Sequence, residues 1–503
     1  MPRLLPHRRS DQPVLRIPPR RILPSSASAS LWFEQALAGE SDKQSGPSEG
    51  PGLEPLRAHA DVCIIGGGFT GLWTALEIKR RRPSAEVVVL EADLCGSGAS
   101  GRNGGFVLTS WSKFTSLRKA CGEADAVAYA RAVQAGVAAI GDFCRAHAIE
   151  AHFRNHGWLW AATNEAQMNS WREALERLDA AGENPFQSLR PEQVQAMTGS
   201  EVHRGGVLDP AASVVQPAIL ARGLRAAALE AGVSVCEHTP VLQLDGGSRP
   251  VLTTARGVIR AERVVVALGA WAAAIAEVRR ALVVIASDIV ATEPIPDRLA
   301  AIGWRPDLAI SDSRRLVNYY RQSEDGRVVF GKGGGGVAPR GHIGPSFLHE
   351  SPRAREVTRQ FHYVYPMLAD VPAPRSWRGP VDYSLSGLPF FTFLRGEPGV
   401  LVGAGFSGSG VGPSFVAGQI LGAMALDEDD HPGPEGLCRI PAGAMPPEPL
   451  RFAGAALVRA AVGGKESDED QGRAAGRLTQ AVAALDPTSF VDAGSRAAGR
   501  DES

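Results

Sequence analysis

Residues 60–105 read ADVCIIGGGFTGLWTALEIKRRRPSAEVVVLEADLCGSGASGRNGG, and the fold class turns on them. Residues 61–65 predict a short buried strand, and Gly66-x-Gly68-x-x-Gly71 follows it directly. Residues 70–82 predict a helix, with Leu72, Ala75, Leu76 and Lys79 at helical spacing. Residues 86–90 form a second apolar strand that ends on Glu91, about twenty residues past the last glycine. A bare glycine triplet would suit a turn in many α/β units. The strand, the helix, the second strand and the acidic residue together make the dinucleotide fingerprint. In it Gly66 makes the tight turn, Gly68 admits the backbone to a pyrophosphate, and Gly71 lets helix and strand pack closely. The helix N-terminus then offers unpaired N–H groups and a positive dipole end, and Glu91 is placed for a ribose hydroxyl.

A second glycine-rich loop, Gly96 to Gly105 (GSGASGRNGG), follows the second strand. A nicotinamide site has no need of it. A flavin reaches further, and its flat ring takes backbone amides beside it. The chain here resembles the D-amino-acid-oxidase-like superfamily of FAD-dependent oxidoreductases, in particular the gamma-glutamylputrescine oxidase branch, where GASGRNGG follows the acidic residue. The resemblance implies FAD held by Gly66, Gly68, Phe69, Thr70, Gly71, Glu91 and Ala92, and by Gly98, Ala99, Ser100, Arg102, Asn103, Gly104 and Gly105. Val241 resembles a position that touches the adenine end. Ala267, Gly269 and Trp271, in the run ALGAW, resemble a second flavin approach. The strand at 399–403, the glycine loop after it and the helix at 413–424 resemble the C-terminal flavin motif. That motif implies Gly405, Phe406, Ser407, Gly408, Gly410 and Val411 as contacts. Family members often carry Gly-His-Gly where this chain has Gly408-Ser409-Gly410. Related sarcosine oxidases attach FAD through a late cysteine, and dimethylglycine-type relatives through a histidine near the first loop. No cysteine lies between Cys236 and Cys438 and no histidine within 96–105, so FAD is expected to be non-covalent.

The 503 residues are 44% hydrophobic and 21% charged, with a formal net charge of −1. That suits a soluble enzyme with a large core and gives no argument for nucleic acid or an anionic membrane surface. Cys63, Cys95, Cys121, Cys144, Cys236 and Cys438 show no paired spacing, which suggests free thiols in a reducing, cytoplasmic setting. No run approaches the ~18–20 apolar residues of a membrane span. His152 and His156 are four apart, but Asn155 and Gly157 favour a loop over a zinc face, so no metal is expected. The richness in Ala, Arg and Gly points to a bacterial source. The oligomeric state is left open.

The fold class is α/β (α+β overall): a Rossmann-like FAD-binding domain with a mixed-sheet substrate domain. The expected boundaries are a disordered extension and linker at 1–57, with ordered chain possible from the aromatic run at Ser30. The discontinuous cofactor domain takes 58–125, 205–285 and 375–428, and the substrate domain 126–204 and 286–374. A C-terminal extension occupies 429–503, with an amphipathic helix within 446–463 and a disordered end from 492. In the substrate domain, 315–321 and 327–332 predict a hairpin. Alternation puts Tyr319 and Arg321 on one face and Tyr320 on the other. Arg321 is a candidate carboxylate clamp, Tyr319 a lining residue, and Lys332 a candidate oxygen-activating lysine; each also has a plain structural reading. Trp111 and Lys113 are further lining candidates, whereas Trp158 and Trp160 read as core. The family chemistry implies oxidation of a C–N bond in a small amine or amino acid derivative, with O2 or another acceptor taking the electrons. Two alternatives are a dehydrogenase that uses a non-oxygen acceptor and a flavin-binding subunit of a larger complex.

Overall fold

The computed structural model describes residues 13–16, 30–43, 56–443 and 445–485. Its first sheet is built around the strand His59–Ile65. Val62 to Ile65 are all buried, as expected of a strand covered on both faces. It pairs in parallel with Val87–Leu90 on one side and Gly257–Val266 on the other. Ser234–Cys236 and Glu397–Ala404 extend the parallel run at its two ends, and Phe390–Leu394 adds an antiparallel edge. The early part of Gly257–Val266 feeds an antiparallel ladder through Val251–Thr254 and Val241–Asp245.

The helices Phe69–Arg81 and Val411–Ala425 each follow a parallel strand and pack against each other. Two glycines set the approach. A Cβ on Gly418 would lie 2.5 Å from Trp73 Cβ, and one on Gly422 2.8 Å from Glu77 Cγ. The long helix Glu123–Ala146 shares their core through Val133, Val137 and Ile140.

The second sheet has eight strands, in the order Arg375–Ser384, Leu282–Ala291, Val328–Lys332, Asn318–Gln322, Ala309–Asp312, Trp158–Ala162, Gly205–Asp209 and Gln187–Leu189. One pair, Ala309–Asp312 with Trp158–Ala162, is parallel, so the sheet is mixed. The helix Ala354–Val364 covers it, packing Val357, Phe361 and Val364 near Tyr320 and Phe330. The rings of Tyr320 and Phe330 stack at 4.9 Å.

Several boundaries differ from the sequence reading. Gly205–Asp209 and Arg375–Ser384, expected in the cofactor domain, and Leu282–Ala291, which straddles the expected boundary at 285/286, are hydrogen-bonded into the second sheet. Strand pairing decided this: Leu282–Ala291 and Arg375–Ser384 match residue for residue along ten positions. The extension at 1–57 contains structure. Leu15–Arg16 pairs with Gln243 and Leu244, and the helix Leu31–Lys43 buries Trp32 and Phe33. The rest of the expected disordered N-terminal stretch, most of the linker and the 492–503 end lie outside the described residues. The C-terminal helix runs Leu450–Asp470, well beyond 463.

Candidate active site

A cavity of about 580 Å³ lies between the two sheets, within the usual size for a cofactor and small-molecule site. The first-sheet wall is mostly backbone. Gly66 has φ +110°, and a Cβ there would lie 2.5 Å from Ala267 O. One on Gly71 would lie 2.0 Å from Gly66 O, so the helix can meet the strand only at glycine. Gly68 faces the cavity and caps the helix Phe69–Arg81 with no side-chain bond. Phe69 N–H donates to Ser100 Oγ at 3.0 Å. Glu91 accepts the N–H groups of Gly67 (2.8 Å) and Asp93 (3.0 Å). Burial pushes its carboxyl above the ordinary value, and those two bonds pull the other way.

The loop at 96–105 is braced from within and behind. Asn103 Nδ2 donates to Ser100 O and its Oδ1 accepts Gly105 N–H. Buried Arg102 donates to Ser97 O and Leu348 O, both at 2.8 Å, and burial pulls its guanidinium down to about 10. The indoles of Trp32 and Trp377 donate to Asn103 O and Arg102 O, each at 3.0 Å. Gly105 does not line the cavity. Its φ is +75°, and a Cβ would lie 2.2 Å from Val215 O.

The C-terminal glycine loop, 405–410, completes this wall. Gly405, Ser407 and Gly408 all have positive φ, and Gly410 caps the helix Val411–Ala425 without a side-chain bond. Two helix N-termini whose own N-cap residues are glycine therefore open onto one cavity. Phe69, Thr70, Ala92, Gly98, Ala99, Val241, Ala267, Gly269, Trp271 and Phe406 also line it; Gly71 and Gly405 lie just behind.

Asp382, which the sequence reading missed, lines the cavity from the strand Arg375–Ser384 and accepts Gly405 N–H at 2.6 Å. Burial raises its carboxyl to about 6, against the bonds from Gly405 and Phe406. A lone acid in an otherwise uncharged run, Gly379 to Gly387, was the available signal.

The second-sheet wall is made of side chains. Tyr319 lines the cavity, its hydroxyl 2.7 Å from Ser287 Oγ, and burial pushes its phenol well up. Its ring stands 3.0 Å from where a Cβ on Gly104 would lie. Trp158 also lines the cavity and donates to Ser311 Oγ at 2.8 Å, so it is more than core. Lys113 and His349 are further lining residues. Trp111 is buried outside the lining and donates to Gln134 Oε1.

Two candidates are not at this cavity. Arg321 shares a strand face with Tyr319, but it lies behind the loop at 96–105. It donates to Gly104 O (2.9 Å) and Val215 O (2.7 Å) and stacks over Trp32. It borders a separate cavity of about 290 Å³. Lys332 is buried within the second sheet and donates to Leu316 O (3.2 Å) and Asn318 Oδ1 (3.3 Å). The sequence signalled the types of these residues but not which carbonyls would consume them.

A protein-family model described as "DAO: FAD dependent oxidoreductase" matches residues 61–424. The chain belongs to this FAD-dependent oxidoreductase family. Over 381 residues the flavoenzyme is 27% identical to the probable oxidoreductase OrdL of Haemophilus influenzae, covering 74% of this chain and 84% of that one. It is 28% identical over 367 residues to the gamma-glutamylputrescine oxidoreductase of Escherichia coli, covering 72% and 83%. Among solved structures, the glycine oxidase of Geobacillus kaustophilus aligns with a TM-score of 0.62 at 23% identity, over 74% of this chain and 96% of that one. The residues present fit FAD. The glycine-started helix N-termini suit a pyrophosphate and an electron-rich ring edge, and Glu91 stands where the fingerprint places its ribose acceptor. Among the described residues no helix is long and apolar enough to cross a membrane.

Proposed function

We propose that the flavoenzyme oxidises a C–N bond in a small amine or amino acid derivative and holds FAD non-covalently. The observation that carries this reading is one cavity shared by a backbone cradle and a side-chain wall of Tyr319, Ser287, Trp158 and Lys113. The relatives named for gamma-glutamylputrescine and for glycine support the substrate class.

Bound FAD supplies the hydride acceptor. The substrate loses a hydride from carbon and a proton from nitrogen, and water hydrolyses the imine to a carbonyl compound and a free amine. The electrons pass to O2, giving H2O2. The chain's own part is orientation and exclusion of water. Tyr319 and Ser287 offer hydroxyls beside the substrate, Trp158 an apolar wall, and Asp382 holds the C-terminal glycine loop through Gly405 N–H. No cysteine lines the cavity, which supports non-covalent attachment; His349 is the one histidine among the described lining residues. Acid precipitation tests this: the yellow colour should move to the supernatant, and colour in the pellet would point to a covalent link.

A second reading, a dehydrogenase using a carrier as acceptor, is favoured by the placement of Lys332. Its amine is engaged within the sheet and not at the cavity. Peroxide formed per amine consumed separates the two readings.

A further inference from the structure

We propose that Glu466, on a C-terminal helix outside the family match, is a positioning residue for the substrate wall: acting through Leu316 and Lys332, it fixes the hairpin tip that lines the cavity.

The tip at 313–317 joins the strands Ala309–Asp312 and Asn318–Gln322, and Arg315 and Val317 line the cavity on either side of Leu316. Hairpin tips ordinarily belong to the mobile part of a fold. Here both polar groups of Leu316 are held. Its N–H donates to Glu466 Oε1 at 2.9 Å, and its carbonyl accepts from Lys332 Nζ at 3.2 Å. Glu466 and Lys332 are both buried and of opposite charge. Burial lowers the Lys332 ammonium, and the Glu466 and Asp312 carboxylates oppose that. Removing one member of such a set leaves the other charge buried and short of a partner.

The same helix holds the neighbouring residues. Asp470 pairs with Arg314 at 2.6 Å. Arg459 donates to the carbonyl of Gly334, itself a lining residue. Leu316 also fills the space at Gly334, where a Cβ would lie 2.5 Å from Leu316 Cδ2. The helix Leu450–Asp470 thus grips two loops of one wall. Glu466, Asp470 and Arg459 hydrogen-bond to nothing in the glycine cradle. The helix lies beyond residue 424, where the family match ends.

The proposal rests on the amine reading for its kinetics, and a second readout is independent of it. In the full-length holoenzyme, Glu466→Ala is expected to raise KM by about tenfold while kcat stays within about twofold. Iodide quenching of bound-flavin fluorescence should rise severalfold, with FAD affinity unchanged. Glu466→Gln, which keeps an acceptor for Leu316 N–H, should recover most of the parent KM. Parental KM and parental quenching in Glu466→Ala would overturn the proposal. If no amine is turned over, the quenching result decides alone. If Glu466→Ala fails to fold, Arg459→Ala is the deciding variant. Raised quenching with full FAD content supports the grip, and unchanged quenching refutes it.

Discussion

The two walls of the cavity are built by different means. The first-sheet wall is backbone: glycines at positive φ, two helix N-termini that begin on glycine, and side chains such as Ser100, Asn103 and Glu91 that bond main-chain N–H groups. The second-sheet wall is side chains paired across long stretches of chain, such as Trp158 with Ser311 and Tyr319 with Ser287. A backbone wall is intolerant of added bulk and indifferent to most side-chain chemistry. A side-chain wall tolerates bulk in places and depends on which hydroxyl meets which partner. The first wall suits a cofactor of fixed shape, and the second can be retuned for a substrate.

The strongest attack on the backbone wall is Gly71→Val. A Cβ there would lie 2.0 Å from Gly66 O, and main chain cannot yield as a side chain does. The variant should lose about 4 kcal/mol or more of stability and its flavin, read from the denaturant midpoint and the flavin absorbance per chain. Retained yellow colour and midpoint would show that the approach is looser than described.

Asp382 joins the two walls, and its protonation has a sign. Folded, its carboxyl titrates at about 6, above its ordinary value. Between about pH 4 and 6 the unfolded chain gives up this proton first, so stability falls as pH rises through that window and stays lower above it. The parent apoprotein should lose roughly 3 kcal/mol across that interval through this group. Asp382→Asn should lack that slope, and parallel stability–pH curves would contradict it.

Arg321→Ala separates a brace from a clamp. The residue donates to two loop carbonyls, so its loss should cost about 2–3 kcal/mol of stability. KM for anionic and for neutral amines should move together. A selective rise for anionic amines would return Arg321 to the substrate wall. Glu91→Ala should weaken FAD binding by about 2 kcal/mol, the scale of a charged hydrogen bond. Equal affinity in a flavin titration would remove Glu91 from the ribose.

These differences also explain what could be read in advance. The cradle was legible because its determinants are local: Gly66 to Gly71 and Glu91 act within one strand–helix–strand unit, and glycine types report backbone geometry directly. The strand alternation that placed Tyr319 and Tyr320 on opposite faces was legible for the same reason. The destinations of Arg321 and Lys332 were not. Both are long cations whose partners, Gly104, Val215 and Leu316, are fixed by tertiary packing. Asp382 escaped because its role depends on meeting Gly405 across the sheet–loop junction. Gly205–Asp209 and Arg375–Ser384 fall in segments expected in the cofactor domain yet pair into the second sheet, because sequence patterning does not specify a strand's neighbour.

The proposed arrangement puts FAD on the backbone wall of one cavity and an amine on its side-chain wall. Anaerobic titration of the purified yellow protein with a panel of small amines, alongside 2-hydroxy acids, tests it most directly. At least one amine should bleach the flavin absorbance, more readily as pH rises and the amine loses its proton, while the hydroxy acids leave it unchanged. Bleaching by a 2-hydroxy acid and by no amine would contradict it.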